Sequence, residues 1–148
     1  MKHKRVRLTV VLAMLIVAMS VVAQPGVAAN GIDSATLSIW VNSGTGATVN
    51  VHRITAPWTE TGVTWNNFGG SYQTVPAVSF VSTGWGWHSV DVTGLVQAWF
   101  SGDYPNYGLL LEQGTAEYTS FLSSDYDDIV SLRPKLEICF SETGCVTI

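Results

Sequence analysis

Six tryptophans are the most distinctive candidates for chemistry in this sequence of 148 residues, and all of them follow residue 39. An indole ring offers a flat apolar surface on which the C–H face of a sugar can pack, while neighbouring polar side chains bond to the sugar hydroxyls. The local alternation turns Trp40, Trp85 and Trp87 away from the predicted core. We therefore predict that these rings, with Arg53, bind a polysaccharide. The alternative is that a second layer or a partner protein buries the rings.

Acidic residues could support glycoside hydrolysis, which needs two carboxyl groups held about 5 to 9 Å apart across a cleft. Glu60, Asp91, Glu112 and Glu117 are available for such a pair, but the sequence does not show which of them come together. A glycan-degrading enzyme therefore stays an alternative. The interpretation favoured by the sequence is a protein that is not an enzyme.

The acidic turn with Asp125, Asp127 and Asp128 begins like a calcium-binding loop. A helix-loop-helix calcium site is excluded because glycine is missing at its sixth position and Leu136 stands where the closing Glu belongs. The sequence thus predicts no cofactor and no metal. An irregular calcium site in this loop remains the alternative to a solvated acidic turn.

Two cysteines, Cys139 and Cys145, lie close together near the end of the chain. A disulfide is the default for cysteines in an exported protein, whereas zinc requires more ligands than these two residues provide. We therefore predict a Cys139–Cys145 disulfide that holds the last strand in place.

The first 29 residues have the pattern of a secretory signal peptide. Four of the seven basic residues precede an apolar run from Leu8 to Ala23, and small residues offer cleavage after Ala23 or after Ala29. A membrane anchor is the alternative, but the run is short for a bilayer and has no basic stop. We expect a secreted, extracellular protein without a membrane partner after cleavage.

Residues 30–148 then form a single domain, because their length leaves no room for two. Apolar residues make up 47% of the chain and charged residues 12%, which excludes a disordered protein. Beyond the leader, three basic residues face all eleven acidic ones, a formal net charge of −8. Because a surface with this negative charge repels phosphate backbones and anionic lipids, we expect no nucleic acid partner.

Alternating apolar and polar residues predict the elements that position these side chains. Seven strands are expected, near residues 35–41, 47–54, 75–82, 85–92, 107–113, 119–124 and 134–140. The first two would be joined by a hairpin loop at residues 43–46. Residues 107–113 contain three consecutive leucines and are therefore expected to form a central strand.

One stretch has helical spacing instead. Val92, Leu95, Val96 and Trp99 form an amphipathic stripe, which Asp91 or Thr93 can cap and Gly102 can end. Strands at short spacing with one small helix predict an all-β fold, an antiparallel jelly-roll-like β-sandwich preceded by the signal peptide.

Five motifs occur in register along the chain: residues 34–37 (SATL), 58–67 (WTETGVTWNN), 91–99 (DVTGLVQAW), 106–109 (NYGL) and 133–136 (RPKL). Together they resemble the DNRLRE-domain family, also called carbohydrate-binding module family 96. The resemblance implies a jelly-roll β-sandwich in secreted or surface proteins, often attached to polysaccharide-degrading enzymes. It also implies carbohydrate binding, with alginate as the ligand of some members.

Two features depart from the family pattern. A family module opens with several more strands, whereas here the leader runs almost directly into the strand at Ala35. Missing strands would leave sheet edges that invite another chain, so a partner protein that completes the sheet is expected unless the chain is a truncated product. A structural or adhesive domain is the corresponding alternative function. The second departure is the charge of −8, which fits poorly with an acidic ligand such as alginate.

Overall fold

The computed structural model describes residues 31–113 and 119–148. Residues 1–29, in which the signal peptide is predicted, and Glu117 lie outside the described residues. Within the described ranges, no helix is long and apolar enough to span a membrane.

Two antiparallel sheets face each other, as expected for an all-β sandwich. The strands are β1 (Ile32–Ser43), β2 (Thr45–Arg53), β3 (Val78–Thr83), β4 (Gly86–Asp91), β5 (Leu109–Glu112), β6 (Ser120–Phe121), β7 (Lys135–Phe140) and β8 (Gly144–Thr147). The five-stranded sheet has the order β4-β1-β7-β8, with β6 also paired to β1, and the three-stranded sheet has the order β3-β2-β5. The helices are α1 (Trp65–Phe68) and α2 (Thr93–Ser101), with a 3-10 turn at Val130–Leu132.

The hydrophobic core lies between the two sheets and follows from the alternation. In β1, Ala35, Leu37, Ile39 and Val41 are all buried, whereas the residues between them are not. Ala35, Leu37 and Ile39 belong to one cluster with inward residues of both sheets and of α2, which include Val49, Val51, Val90, Val96, Leu111, Leu136 and Ile138. Burial of these side chains is the main stabilising contribution to the sandwich.

The connection between β1 and β2 is not the hairpin that the sequence predicts, because the two strands belong to different sheets. The chain passes from one sheet to the other at Gly44, where an added Cβ would lie 2.2 Å from the carbonyl oxygen of Ser82. Alternation alone could not show this, since a strand has the same pattern whichever sheet it joins.

The outer face of the three-stranded sheet is covered around Leu110 by residues from the segment 54–72. A second apolar cluster forms there from Ile54, Phe68 and Leu110, with half-buried rings of Trp58, Tyr72 and Tyr107 around them. Strand β5 is consequently apolar on both faces although, among the described residues, it lies at the edge of its sheet and not in the centre as predicted. A buried face, and not a central position, explains its leucines.

Helix α2 ends at Gly102, with a φ of 82°, as its sequence indicates. The predicted cap is wrong: Val92 is the N-cap and makes no side-chain capping bond, while Asp91 Oδ1 accepts from the Thr93 backbone N–H at 2.8 Å. Thr93 Oγ1 instead accepts from the Ala35 N–H of β1 at 2.8 Å, which fixes the helix against the sheet.

The predicted disulfide is present. Cys139 and Cys145 are opposite residues of β7 and β8, and they form the bond that closes this C-terminal hairpin. β8 is exposed along its whole length, so the bond fastens an edge strand with little core of its own.

Candidate functional site

The structure brings Trp40, Trp85 and Trp87 together on the outer face of the five-stranded sheet. The Trp40 ring lies 6.1 Å from that of Trp85 and 5.5 Å from that of Trp87, and both contacts are edge-to-face at 85° and 89°. Trp85 is 76% exposed, Trp87 is 36% exposed, and Trp40 is half-buried between them. We call these three residues the tryptophan cluster.

Strand register explains this cluster. Trp40 of β1 lies directly opposite Trp87 of β4, so their side chains leave the sheet on the same face. Trp85 stands in the turn before β4, between Gly84 and Gly86, whose φ angles are 69° and 138°. These positive angles suit glycine and let a tight turn present the ring at the sheet surface.

A cation lies against this cluster. Lys135 Nζ is 4.3 Å from the centre of the Trp87 ring, a cation–π contact made from β7 across β1. The sequence patterns did not point to Lys135, because the contact depends on β7 lying beside β1, which only the sheet order establishes.

Polar residues continue the same outer face away from the cluster. Ser38 and Ser89 are opposite each other on β1 and β4, and their hydroxyl oxygens are 2.8 Å apart. In the next row, Thr36 lies between Asp91 of β4 and Glu137 of β7. Hydrogen bonds from the Thr93 side chain and backbone hold the pKa of the Asp91 carboxyl below its ordinary value.

Arg53 is not part of this arrangement. It ends β2 in the three-stranded sheet, where its guanidinium lies 4.0 Å from the centre of the Tyr104 ring and its Nε donates to Gln73 Oε1 at 3.4 Å. Strand alternation gave the direction of the tryptophans but not the sheet to which Arg53 belongs.

The carboxylates considered for hydrolysis are dispersed. Asp91 lies on the outer face of the five-stranded sheet, whereas Glu112 lies on the outer face of the three-stranded sheet and Glu60 in an exposed turn. Glu112 accepts from Asn50 Nδ2 at 2.8 Å, and its Oε2 is 3.6 Å from Nε2 of the buried His52. The structure therefore brings no two of the described candidates into a cleft as a pair.

The acidic turn is bound by an arginine. Arg133 donates to Asp127 Oδ1 at 2.7 Å and to the Tyr126 carbonyl at 2.9 Å. Asp125, Asp127 and Asp128 do not converge as a ligand set; in the described part of the chain the one converging trio is Glu137 with the two disulfide cysteines.

A second surface feature, which sequence analysis did not single out as a site, is built by residues 57–71. Thr64 caps the short helix α1, accepting from the Asn67 N–H, while Asn67 Oδ1 accepts from the Thr64 N–H at 2.6 Å. Trp58 Nε1 donates to the Tyr107 carbonyl at 2.7 Å. These bonds shape a cleft of about 390 Å³, lined by Pro57, Trp58, Thr59, Gly62, Val63, Asn67, Phe68 and Ser71.

The protein is thus an antiparallel β-sandwich with three tryptophans grouped on the outer face of one sheet. The family model of carbohydrate-binding module family 96 matches residues 23–139, well over half of the chain. The protein therefore belongs to carbohydrate-binding module family 96, as the five sequence motifs indicate. No curated protein and no solved structure is significantly similar to the chain.

Proposed function

We propose that this protein is a secreted, non-catalytic module that recognises a polysaccharide through the tryptophan cluster. The observation that carries the proposal is the grouping of Trp40, Trp85 and Trp87 on one exposed sheet face within a member of a carbohydrate-binding family. Large exposed aromatic groups on a soluble protein mark interaction sites.

The packing of the cluster supports a binding role. Edge-to-face contacts with Trp40 restrict both neighbouring rings, so little conformational entropy is lost when a ligand packs on them. Trp85 contributes most of the open surface, because three quarters of its area is exposed to solvent. We expect it to be the main contact for the C–H face of a sugar.

A glycan array with the purified protein tests the proposal. Replacing Trp85 or Trp87 by alanine should weaken binding by about 30-fold, the effect of removing an aromatic hot spot. Tyr104→Ala is the matched control, because Tyr104 is 44% exposed but packs on Arg53 and not in the cluster. Absence of binding to every glycan, or equal losses in the control, would refute the proposal.

A second candidate function, a structural domain that packs on another protein, is favoured by strand β5. Strand β5 lies at the edge of the three-stranded sheet, and among the described residues no strand pairs with its side away from β2. Open edges accept strands from other chains. Size-exclusion chromatography separates the candidates: an obligate oligomer without glycan binding supports this second function, and a monomer that binds glycans supports the first.

A further inference from the structure

The outer face of the five-stranded sheet continues beyond the tryptophan cluster as an ordered surface. Along β1 and β4, the Trp40–Trp87 pair is followed by the Ser38–Ser89 pair and then by Thr36 and Asp91. Alternate residues of a strand are about 6.7 Å apart, so these rows extend about 13 Å from the cluster. That length exceeds a single sugar ring, and the surface can therefore contact consecutive residues of one chain.

The polar rows provide the hydrogen-bonding groups that sugar hydroxyls need. Ser38 and Ser89 bond to each other at 2.8 Å, which uses one hydroxyl hydrogen and leaves the second one and oxygen lone pairs for a ligand. Asp91 and Glu137 are exposed carboxylates on either side of Thr36, and carboxylates accept strong hydrogen bonds from hydroxyl groups.

The charges of this face select against an acidic ligand. Beyond the leader the sequence has only three basic residues, Arg53, Arg133 and Lys135. Arg53 lies on the other sheet, and the Arg133 guanidinium is paired with Asp127, whereas Lys135 is the cation that contacts the cluster. A polysaccharide with a carboxylate on each sugar would meet this one ammonium group, already held on the Trp87 ring, and two carboxylates in the Asp91–Glu137 row.

We propose that the ligand is a neutral polysaccharide that lies along β4 and β1, from the tryptophan cluster to the row of Asp91, Thr36 and Glu137. The inference rests on the proposed function and adds the charge class of the ligand, its direction on the sheet and the further binding residues Ser38, Ser89 and Glu137. Lys135 packs on the Trp87 ring and contacts no group of the ligand.

Affinity electrophoresis of the purified protein tests this proposal with known polysaccharides. Gels containing xylan, galactomannan or hydroxyethyl cellulose present neutral chains, and gels containing alginate or polygalacturonate present acidic ones. We expect retardation by at least one neutral gel, and none by the acidic gels. The double variant Ser38→Ala/Ser89→Ala should bind about fivefold more weakly, because hydrogen bonds to the ligand are lost. Ser131→Ala, an exposed serine in the 3-10 turn, is its matched control.

Lys135→Gln separates the two charge classes. For a neutral ligand the dissociation constant should change by no more than about twofold, since a solvent-exposed charge contributes little to contacts with uncharged groups. For an acidic ligand, loss of the ammonium group should weaken binding by about tenfold or more.

The outcomes distinguish this inference from the proposed function. If only the acidic gels retard the protein, and if both Lys135→Gln and Trp85→Ala abolish this retardation, the ligand is not neutral. The tryptophan cluster would then still be the binding site. If a neutral polysaccharide binds in a Trp85-dependent way but its affinity is unchanged in the double serine variant, the ligand does not lie along β4 and β1. No retardation in any gel would overturn both. Thermal unfolding of each variant verifies that the fold is intact.

Discussion

Replacing Gly44 by alanine should destabilise the protein at the point where the chain passes between the sheets. The new Cβ would lie 2.2 Å from the Ser82 carbonyl oxygen and 3.2 Å from Val41 Cγ1, so the backbone must move by more than 1 Å to restore an ordinary contact. Ser82 cannot yield easily, because its buried hydroxyl donates to the Ala47 carbonyl at 3.0 Å and lies 2.6 Å from Thr119 Oγ1. Overpacking of this kind costs about 2–3 kcal/mol.

For a domain of this size, that loss corresponds to a melting temperature about 8–12 °C lower, which thermal unfolding followed by circular dichroism would measure. Gly94→Ala is the matched control with the opposite sign. Gly94 lies in the first turn of α2 with no atom within 4 Å of an added Cβ, so alanine should stabilise by about 0.5–1 kcal/mol. If the Gly44→Ala protein is as stable as the wild type, the close approach of Gly44 to the Ser82 carbonyl of β3 is refuted.

Three further predictions concern stability. Leu110→Ala should lower the free energy of unfolding in urea by about 2–5 kcal/mol although β5 is an edge strand, because Leu110 is 1% exposed. Val81→Ala, at a position that is 50% exposed, should lower it far less, and equal losses would contradict the second apolar cluster. Cys139→Ser/Cys145→Ser should lower the free energy of unfolding by about 2 kcal/mol, and an unchanged value would show that the hairpin closes without the bond. The lowered pKa of Asp91 adds stability above its ordinary pKa of 3.8, and this stability is lost as the pH falls through the lower folded value. Asp91→Asn should therefore flatten the acid limb of the stability curve below pH 3.8, and parallel curves would exclude this contribution.

Local patterns in the sequence predict much of the fold. The stripe of Val92, Val96 and Trp99 predicts α2 and its end at Gly102, and the alternation around Trp40 predicts the face from which its ring projects. These features depend on residues a few positions apart, so a single sequence contains them. The Cys139–Cys145 disulfide follows from the exported character of the sequence, but β8, which the bond joins to β7, was not predicted.

Features that depend on which strands become neighbours could not be predicted. Arg53 and Trp40 lie on strands that follow each other, yet the switch of sheets at Gly44 separates them. Lys135 reaches Trp87 only because β7 and β4 flank β1 from opposite sides. The three leucines led to the wrong prediction that β5 is a central strand. The outer face of β5 is buried by residues of the preceding segment 54–72 and not by a flanking strand. The pattern of apolar residues shows which face of a strand is buried but does not identify the element that buries it.

Because β1 lies between β4 and β7, the five-stranded sheet cannot assemble during synthesis until both of those strands have been made. β1 is the first strand of the described chain, but its two long ladders are made with β4, which begins at Gly86, and with β7, which begins at Lys135. Pairings between segments so far apart in sequence form slowly, since the intervening loop must be closed first. A ribosome would therefore release nearly the entire polypeptide before this sheet could assemble. A copy cut short before Lys135 would lack the β7 ladder along Ile32–Ser38, and only the short β6 would pair with that side of β1.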